Sequence, residues 1–224
     1  MLQTESTALR EITVAAEGVE LPGIFGMPFH PVGVVVFAHG SDSSRLSPRN
    51  ALVADMLHDA HLGTLLFDLL TPVEAEHRAN VFDVPLLARR LEAATDWLAE
   101  ETGVGRLPLG YFGASTGAAA ALWASTAERR VRAVVSRGGR PDLAQPVLRE
   151  VRAPTLLIVG SRDPVVLDLN ERARLSMRCE CRLRLVPGAT HLFVEPGTLE
   201  TASRLARDWF LEHLAARTEA GDGT

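Results

Sequence analysis

Apolar and polar positions follow two rhythms along this chain. Short runs rich in Val, Leu, Ile and Phe are apolar almost throughout, as in strands buried on both faces, and longer segments between them are apolar at i, i+3 and i+4. The runs predict strands at Glu11–Ala16, Leu21–Met27, Val32–Ala38, Thr64–Leu69, Leu107–Phe112, Val131–Ser136, Pro154–Val159 and Cys179–Val186. The helical rhythm predicts helices at Pro48–Asp59, Val84–Glu101, Ser115–Ala127, Pro164–Met177 and Thr198–Ala216. Strand then helix, repeated, implies an α/β fold: a mainly parallel sheet of about eight strands with helices on both faces. The first two strands, joined across Glu17-Gly18, read as a hairpin that adds antiparallel strands at the edge. In the last helix Leu199, Ala202, Leu205, Trp209 and His213 recur at helical spacing, which makes Trp209 a core anchor. About 17 residues separate Ser136 from Pro154, too few for a large cap, so the expected site is open. Residues 1–217 are expected to form a single domain and 218–224 a flexible tail.

Composition narrows the function. The chain has 224 residues, 46% of them hydrophobic, ample for one packed core. A net charge of -5 with scattered cations argues against a nucleic-acid partner. Every cation is an arginine, so no lysine serves as a catalytic base. MLQTESTALR lacks a basic segment leading into an apolar core, and no later apolar run reaches the roughly 18 residues of a membrane span. The expectation is a soluble cytoplasmic protein, a monomer or homodimer, without a membrane partner. The only cysteines, Cys179 and Cys181, would share one face of a strand, without the geometry for a mutual disulfide and too few for zinc.

The chemistry is concentrated in four turns. Gly113-Ala-Ser-Thr-Gly117 matches G-x-S-x-G, with the apolar run RLPLGYF before it and the helical GAAAALW after it. A serine on such a strained turn clears its neighbours, and the helix behind it points its amides at the charge that develops on attack. A hydroxyl needs a general base, and the base an acid that fixes its tautomer. Asp163, in GSRDP, and His191, in PGATHLF, each follow a predicted strand and occur in the order Ser, acid, His. Asp142 and Asp168 are the alternative acids, and His39 competes with His191 but precedes the nucleophile and shapes its own turn. That turn, AHGSDSSR, brings the amide of Ser41 above the sheet, and Ser41 and Thr116 are the expected oxyanion donors.

The sheet pattern together with HGS, GASTG, GSRDP and GATHLF resembles the α/β-hydrolase superfamily across nearly the whole chain, and the lidless core resembles its dienelactone hydrolase branch. Dienelactone hydrolases proper use a cysteine where this chain has Ser115, which favours a general esterase. The stretches SSRLSPRN and SRGGRPDL are similar to small hydrolases that occur fused to a phosphoribosyltransferase domain. The resemblance implies a hydrolase of small carboxylic esters or lactones that needs neither cofactor nor metal. Arg45, Arg49, Arg137, Arg140 and Arg162 all fall in segments that emerge at the active edge. Arg45, Arg137 and Arg140 are the expected substrate-binding residues, holding an acidic group through the guanidinium fork; the alternative is pairing with local acids such as Asp42 and Asp142. Competing functions are a thioesterase, amidase or acyltransferase with the same triad, a binding protein without turnover, and an interaction module.

Overall fold

The computed structural model describes residues 7–101 and 103–215; the expected tail at 218–224 and the last residue of the final predicted helix, Ala216, lie outside them. Eight strands build one sheet: β1 (Ala8–Ala16), β2 (Val19–Met27), β3 (Gly33–Ala38), β4 (Leu62–Phe67), β5 (Leu109–Ala114), β6 (Val131–Arg137), β7 (Thr155–Gly160) and β8 (Cys181–Val186). Their spatial order is β1-β2-β4-β3-β5-β6-β7-β8. β2 runs antiparallel to both β1 and β4, and the remaining neighbours are parallel. Glu17 and Gly18 both take positive φ, 48° and 82°, the backbone that lets a two-residue turn follow the twist of its strands.

The helices are α1 (Pro48–His58), α2 (Pro72–Ala75), α3 (Arg78–Val81), α4 (Val84–Glu100), α5 (Thr116–Ala124), α6 (Pro164–Ser176) and α7 (Thr198–Leu214), with a 3₁₀ turn at Pro141–Val147. β3, β4, β5 and β7 are buried at every position, which accounts for their uninterrupted apolar sequence. Their side chains still divide with period two. Val34, Val36 and Ala38 enter the core beneath α4 and α5, whereas Val35 and Phe37 enter the opposite core with α1 and α7, where Trp209 is buried. The edge strand β8 is less buried: Arg184 and Leu185 are exposed, and charge on an edge discourages further strand pairing. Cys179 and Cys181 are both free and half-buried, and burial pushes the Cys181 thiol up to about 12.

Side chains set the helix ends. Ser47, Asp83 and Asp163 each cap a helix that begins on or beside proline, with a side-chain oxygen accepting from Asn50, Leu86 and Val166 amides respectively. α5 stops three residues earlier than the sequence predicts, because Ser125 and Thr126 turn their hydroxyls back onto the carbonyls of Leu122 and Trp123. α2, α3 and the 3₁₀ turn were not among the predicted elements, since pieces of four to seven residues carry no readable period.

Candidate active site

β5 ends at Ala114 and α5 begins at Thr116, so Ser115 alone makes the turn, at φ 51° and ψ −122°. A non-glycine residue there is strained by about 1–3 kcal/mol and persists because its surroundings hold it. The Ser115 amide donates to the Arg137 carbonyl at 3.3 Å, and its carbonyl accepts from the amides of Ala118 and Arg140 at 3.2 and 3.0 Å. The flanking glycines answer a packing demand: a Cβ on Gly113 would lie 2.3 Å from Ala118 Cα, and one on Gly117 2.1 Å from the Ala38 carbonyl oxygen. Glycine at both positions lets α5 approach β5 and β3 closely enough to aim its first turn at the serine.

Asp163 follows β7 and divides its carboxylate between two tasks. Oδ1 caps α6 by accepting from the Val166 amide at 3.4 Å, and Oδ2 accepts from His191 Nδ1 at 2.7 Å. An ionised carboxylate only accepts, so this bond fixes the proton on Nδ1 and leaves Nε2 as the basic atom. The His191 loop is held by the Thr190 amide donating to Glu195 at 3.1 Å and by the Arg162 amide donating to the Ala189 carbonyl at 2.9 Å. His191 and Ser115 line one cavity of about 190 Å³, together with Gly40, Ser41, Asp42, Ser43, Arg49 and Arg137. The alternative acids are engaged elsewhere: Asp142 holds Arg140 through both oxygens at 2.8 and 2.7 Å, and Asp168 pairs with Arg172 on the surface.

The loop after β3 lies directly against the serine, since a Cβ on Gly40 would be 3.1 Å from Ser115 Cβ. Ser41 lines the cavity, and Thr116 is the first residue of α5, where a helix amide has no partner within its own helix. His39 occupies the same loop in a different capacity. Its Nε2 accepts from the Leu69 amide at 3.0 Å while Nδ1 meets the Gly40 carbonyl at 2.9 Å. Both ring nitrogens are committed, and burial holds its pKa below the usual histidine value despite the Gly40 bond and the charge of Asp68. His39 therefore braces the turn, and His191 is the imidazole that lines the same cavity as Ser115.

A crystal structure of a dienelactone hydrolase from Anabaena variabilis ATCC 29413 superposes on this chain with a TM-score of 0.89 at 48% sequence identity, covering 93% of this chain and 99% of that one. The chain belongs to the α/β-hydrolase superfamily, in its dienelactone hydrolase-like branch. Est1E from Butyrivibrio proteoclasticus shares the fold, with a TM-score of 0.78 at 16% identity over 92% of this chain and 99% of that one. Two Mycobacterium tuberculosis proteins, strains CDC 1551 / Oshkosh and ATCC 25618 / H37Rv, are provisionally named phosphoribosyl transferases and are 58% identical over 212 residues. That match covers 94% of this chain and 48% of theirs, so the chain spans about half the length of these curated relatives. No family model matches.

In this chain the three arginines expected to hold substrate have separate fates. Arg45 is paired with Asp68, through its amide and its guanidinium at 2.6 Å each, and Arg140 is held by Asp142. Neither is among the residues lining the cavity of Ser115; Arg140 follows the alternative of pairing with Asp142, in the 3₁₀ turn, and Arg45 takes Asp68, just beyond β4. Arg137 does line that cavity. The β5–β6 register sets Arg137 beside Ala114, one residue from the turn at Ser115, and the residue is 7% exposed. Its guanidinium stacks on Phe112 at 5.6 Å and reaches Asn50 Oδ1 at 3.4 Å, while Nη1 has no hydrogen-bond partner. Burial, and then the neighbouring charge of Arg49, pull its pKa down to about 10. The sequence reading missed Asn50, which is buried in the first turn of α1; its one signal is a polar residue on the inward face of a predicted helix.

Among the described residues the cluster with metal-ligand spacing is Glu180, Glu212 and His213, at the opposite ends of the strands from Ser115. Arg182 already bridges both carboxylates, at 2.5 and 3.0 Å. No helix among the described residues is long and apolar enough to cross a membrane.

Proposed function

We propose that this member of a hydrolase family is a serine hydrolase of small carboxylic esters or lactones, with Ser115 as nucleophile, His191 as base and Asp163 as its orienting acid. The observation that carries the reading is the 2.7 Å bond from His191 Nδ1 to a capping carboxylate, with the imidazole and Ser115 lining one cavity. Ser115 Oγ attacks the carbonyl carbon as its proton passes to His191 Nε2, and Asp163 supports the imidazolium. The amides of Ser41 and Thr116 hold the oxyanion. Collapse breaks the bond to the leaving oxygen, which takes the proton from His191. Water, deprotonated by the same nitrogen, then releases the acyl group from Ser115. Arg137, whose residue lines the same cavity, holds an acidic group of the substrate.

Hydrolysis of p-nitrophenyl acetate and butyrate by the wild type and by Ser115→Ala tests this. The expected result is turnover in the wild type and a loss of about 10⁴-fold or more in the variant. Equal turnover in both overturns the assignment of Ser115. The open site further predicts no gain on emulsified long-chain esters, and a marked preference for them would contradict it.

A further inference from the structure

A second cavity, also of about 190 Å³, adjoins the one at Ser115 and shares Gly40, Ser41 and Ser43 with it. The two differ in character. The second is walled by Leu69, Leu70, Ala75, Val81 and Leu87, and Thr116 opens into it. The carboxylate that borders it, Asp68, is already neutralised by Arg45 at 2.6 Å. The first holds His191 and the two arginines, Arg49 and Arg137, with Asp42 exposed at its rim. The shared residues carry the loop amide assigned to the oxyanion, so a carbonyl bound there has one cavity on each side.

Proton transfer decides which half of an ester faces which cavity. The imidazole that protonates the leaving oxygen must touch it. His191 lines the cavity of the arginines and is not among the residues lining the apolar one. The alcohol half therefore lies over the arginines and the acyl half enters the leucine-lined space.

Resting on the serine hydrolase reading, we propose that the two cavities sort the ester by polarity. An apolar acyl group enters the pocket of Leu69, Leu70, Val81 and Leu87, and the departing alcohol carries an anionic group held by Arg137 and Arg49. A cavity near 150 Å³ accommodates a benzene ring, so this pocket takes an acyl chain of about six carbons. An anionic acyl group is excluded because it would be desolvated among leucines in a cavity that no arginine lines. In the reaction Ser115 Oγ bonds to the acyl carbon, the carbon–alkoxide bond breaks, and the serine proton leaves on the anionic alcohol through His191. Water then supplies the hydroxyl of an apolar carboxylic acid.

The test uses phenyl acetate, phenyl hexanoate, 4-carboxyphenyl hexanoate and the monophenyl ester of adipic acid, with the purified full chain. Hexanoate is expected to exceed acetate in kcat/KM by about tenfold or more, with the adipate ester slowest. The ratio of hexanoate to acetate falls about tenfold in Ala75→Phe and in Val81→Phe, two rim positions where added bulk narrows the pocket. KM for 4-carboxyphenyl hexanoate rises about tenfold in Arg49→Gln, a partly exposed position, while KM for phenyl hexanoate rises much less. A faster adipate ester, or an acetate rate that falls in step with hexanoate in both pocket variants, overturns the sorting. Ser115→Ala separates the two claims: if it is inactive while the selectivities come out reversed, the sorting fails and the serine mechanism stands.

Discussion

Asp163 performs two jobs that a single substitution separates. Asparagine caps a helix as well as aspartate does, so Asp163→Asn keeps the bond to the Val166 amide and leaves α6 in place. It loses the charge that stabilises the imidazolium and the acceptor that keeps the proton on His191 Nδ1. We expect kcat for p-nitrophenyl acetate to fall by about 10³–10⁴-fold with a chemical denaturation midpoint close to wild type. A variant within tenfold of wild type would remove Asp163 from the mechanism. At this scale much of the site was legible because backbone demands are written into residue type: two glycines around one serine at a strand–helix junction admit few other readings. The arginines were less legible. Arg140 pairs with the local acid Asp142 that the sequence offered as the alternative, but Arg45's partner Asp68, 23 residues away, depends on how loops fold back, which no local pattern encodes.

The elements the sequence reading left out, α2 and α3, wall the apolar cavity through Pro72, Ala75 and Val81. Four residues cannot sustain a helix by propagation, so tertiary contacts must hold these pieces. Thr71 and Glu74 form a reciprocal cap at the start of α2, and Glu74 reaches on to the buried Arg90 of α4 at 2.7 Å. Arg90 also donates to the Ala16 carbonyl at the end of β1, tying the hairpin, α2 and α4 together. Burial raises the Glu74 pKa, but hydrogen bonds from Thr71 and the charge and hydrogen bond of Arg90 outweigh it and hold the carboxyl below its ordinary value. Removing that charge leaves a buried guanidinium with weaker compensation. Glu74→Gln is expected to cost about 2 kcal/mol, read from urea unfolding, and to lower the hexanoate-to-acetate ratio as the wall loosens. Unchanged stability would mean that Glu17, 4.0 Å from Arg90, suffices. The long buried strands and capped helices, by contrast, were legible because each satisfies its own period and its own end groups.

Across the whole molecule, the site sits where the sheet changes direction. β3 has β4 on one side and β5 on the other, so the chain leaving β3 and the chain leaving β5 diverge and open a crevice at their carboxyl ends. His39, just past the end of β3, accepts from the Leu69 amide just beyond β4, which makes one imidazole a tie between the loops that follow these neighbouring strands. Burial depresses His39 below 6.5, and desolvation does the same for His58, whose Nε2 meets Thr64 at 2.7 Å. The sign follows from proton counts. Below pH 6.5 the unfolded chain binds protons that the folded chain refuses, so stability is full above that value and declines as pH falls. Each such histidine contributes at most about 1.4 kcal/mol per pH unit, the partly exposed His58 less than the buried His39, so a loss of stability is expected between about pH 7.5 and pH 5.5, above the range where most carboxylates titrate. Urea unfolding at the two pH values measures the loss, and His58→Gln should remove the smaller part of it. A flat profile would mean that neither imidazole is held neutral by the fold. Where the loss is found, hydrolysis measured in parallel should fall as well, because protonating His39 Nε2 sets two donors against each other at Leu69 and displaces the loop that carries Ser41.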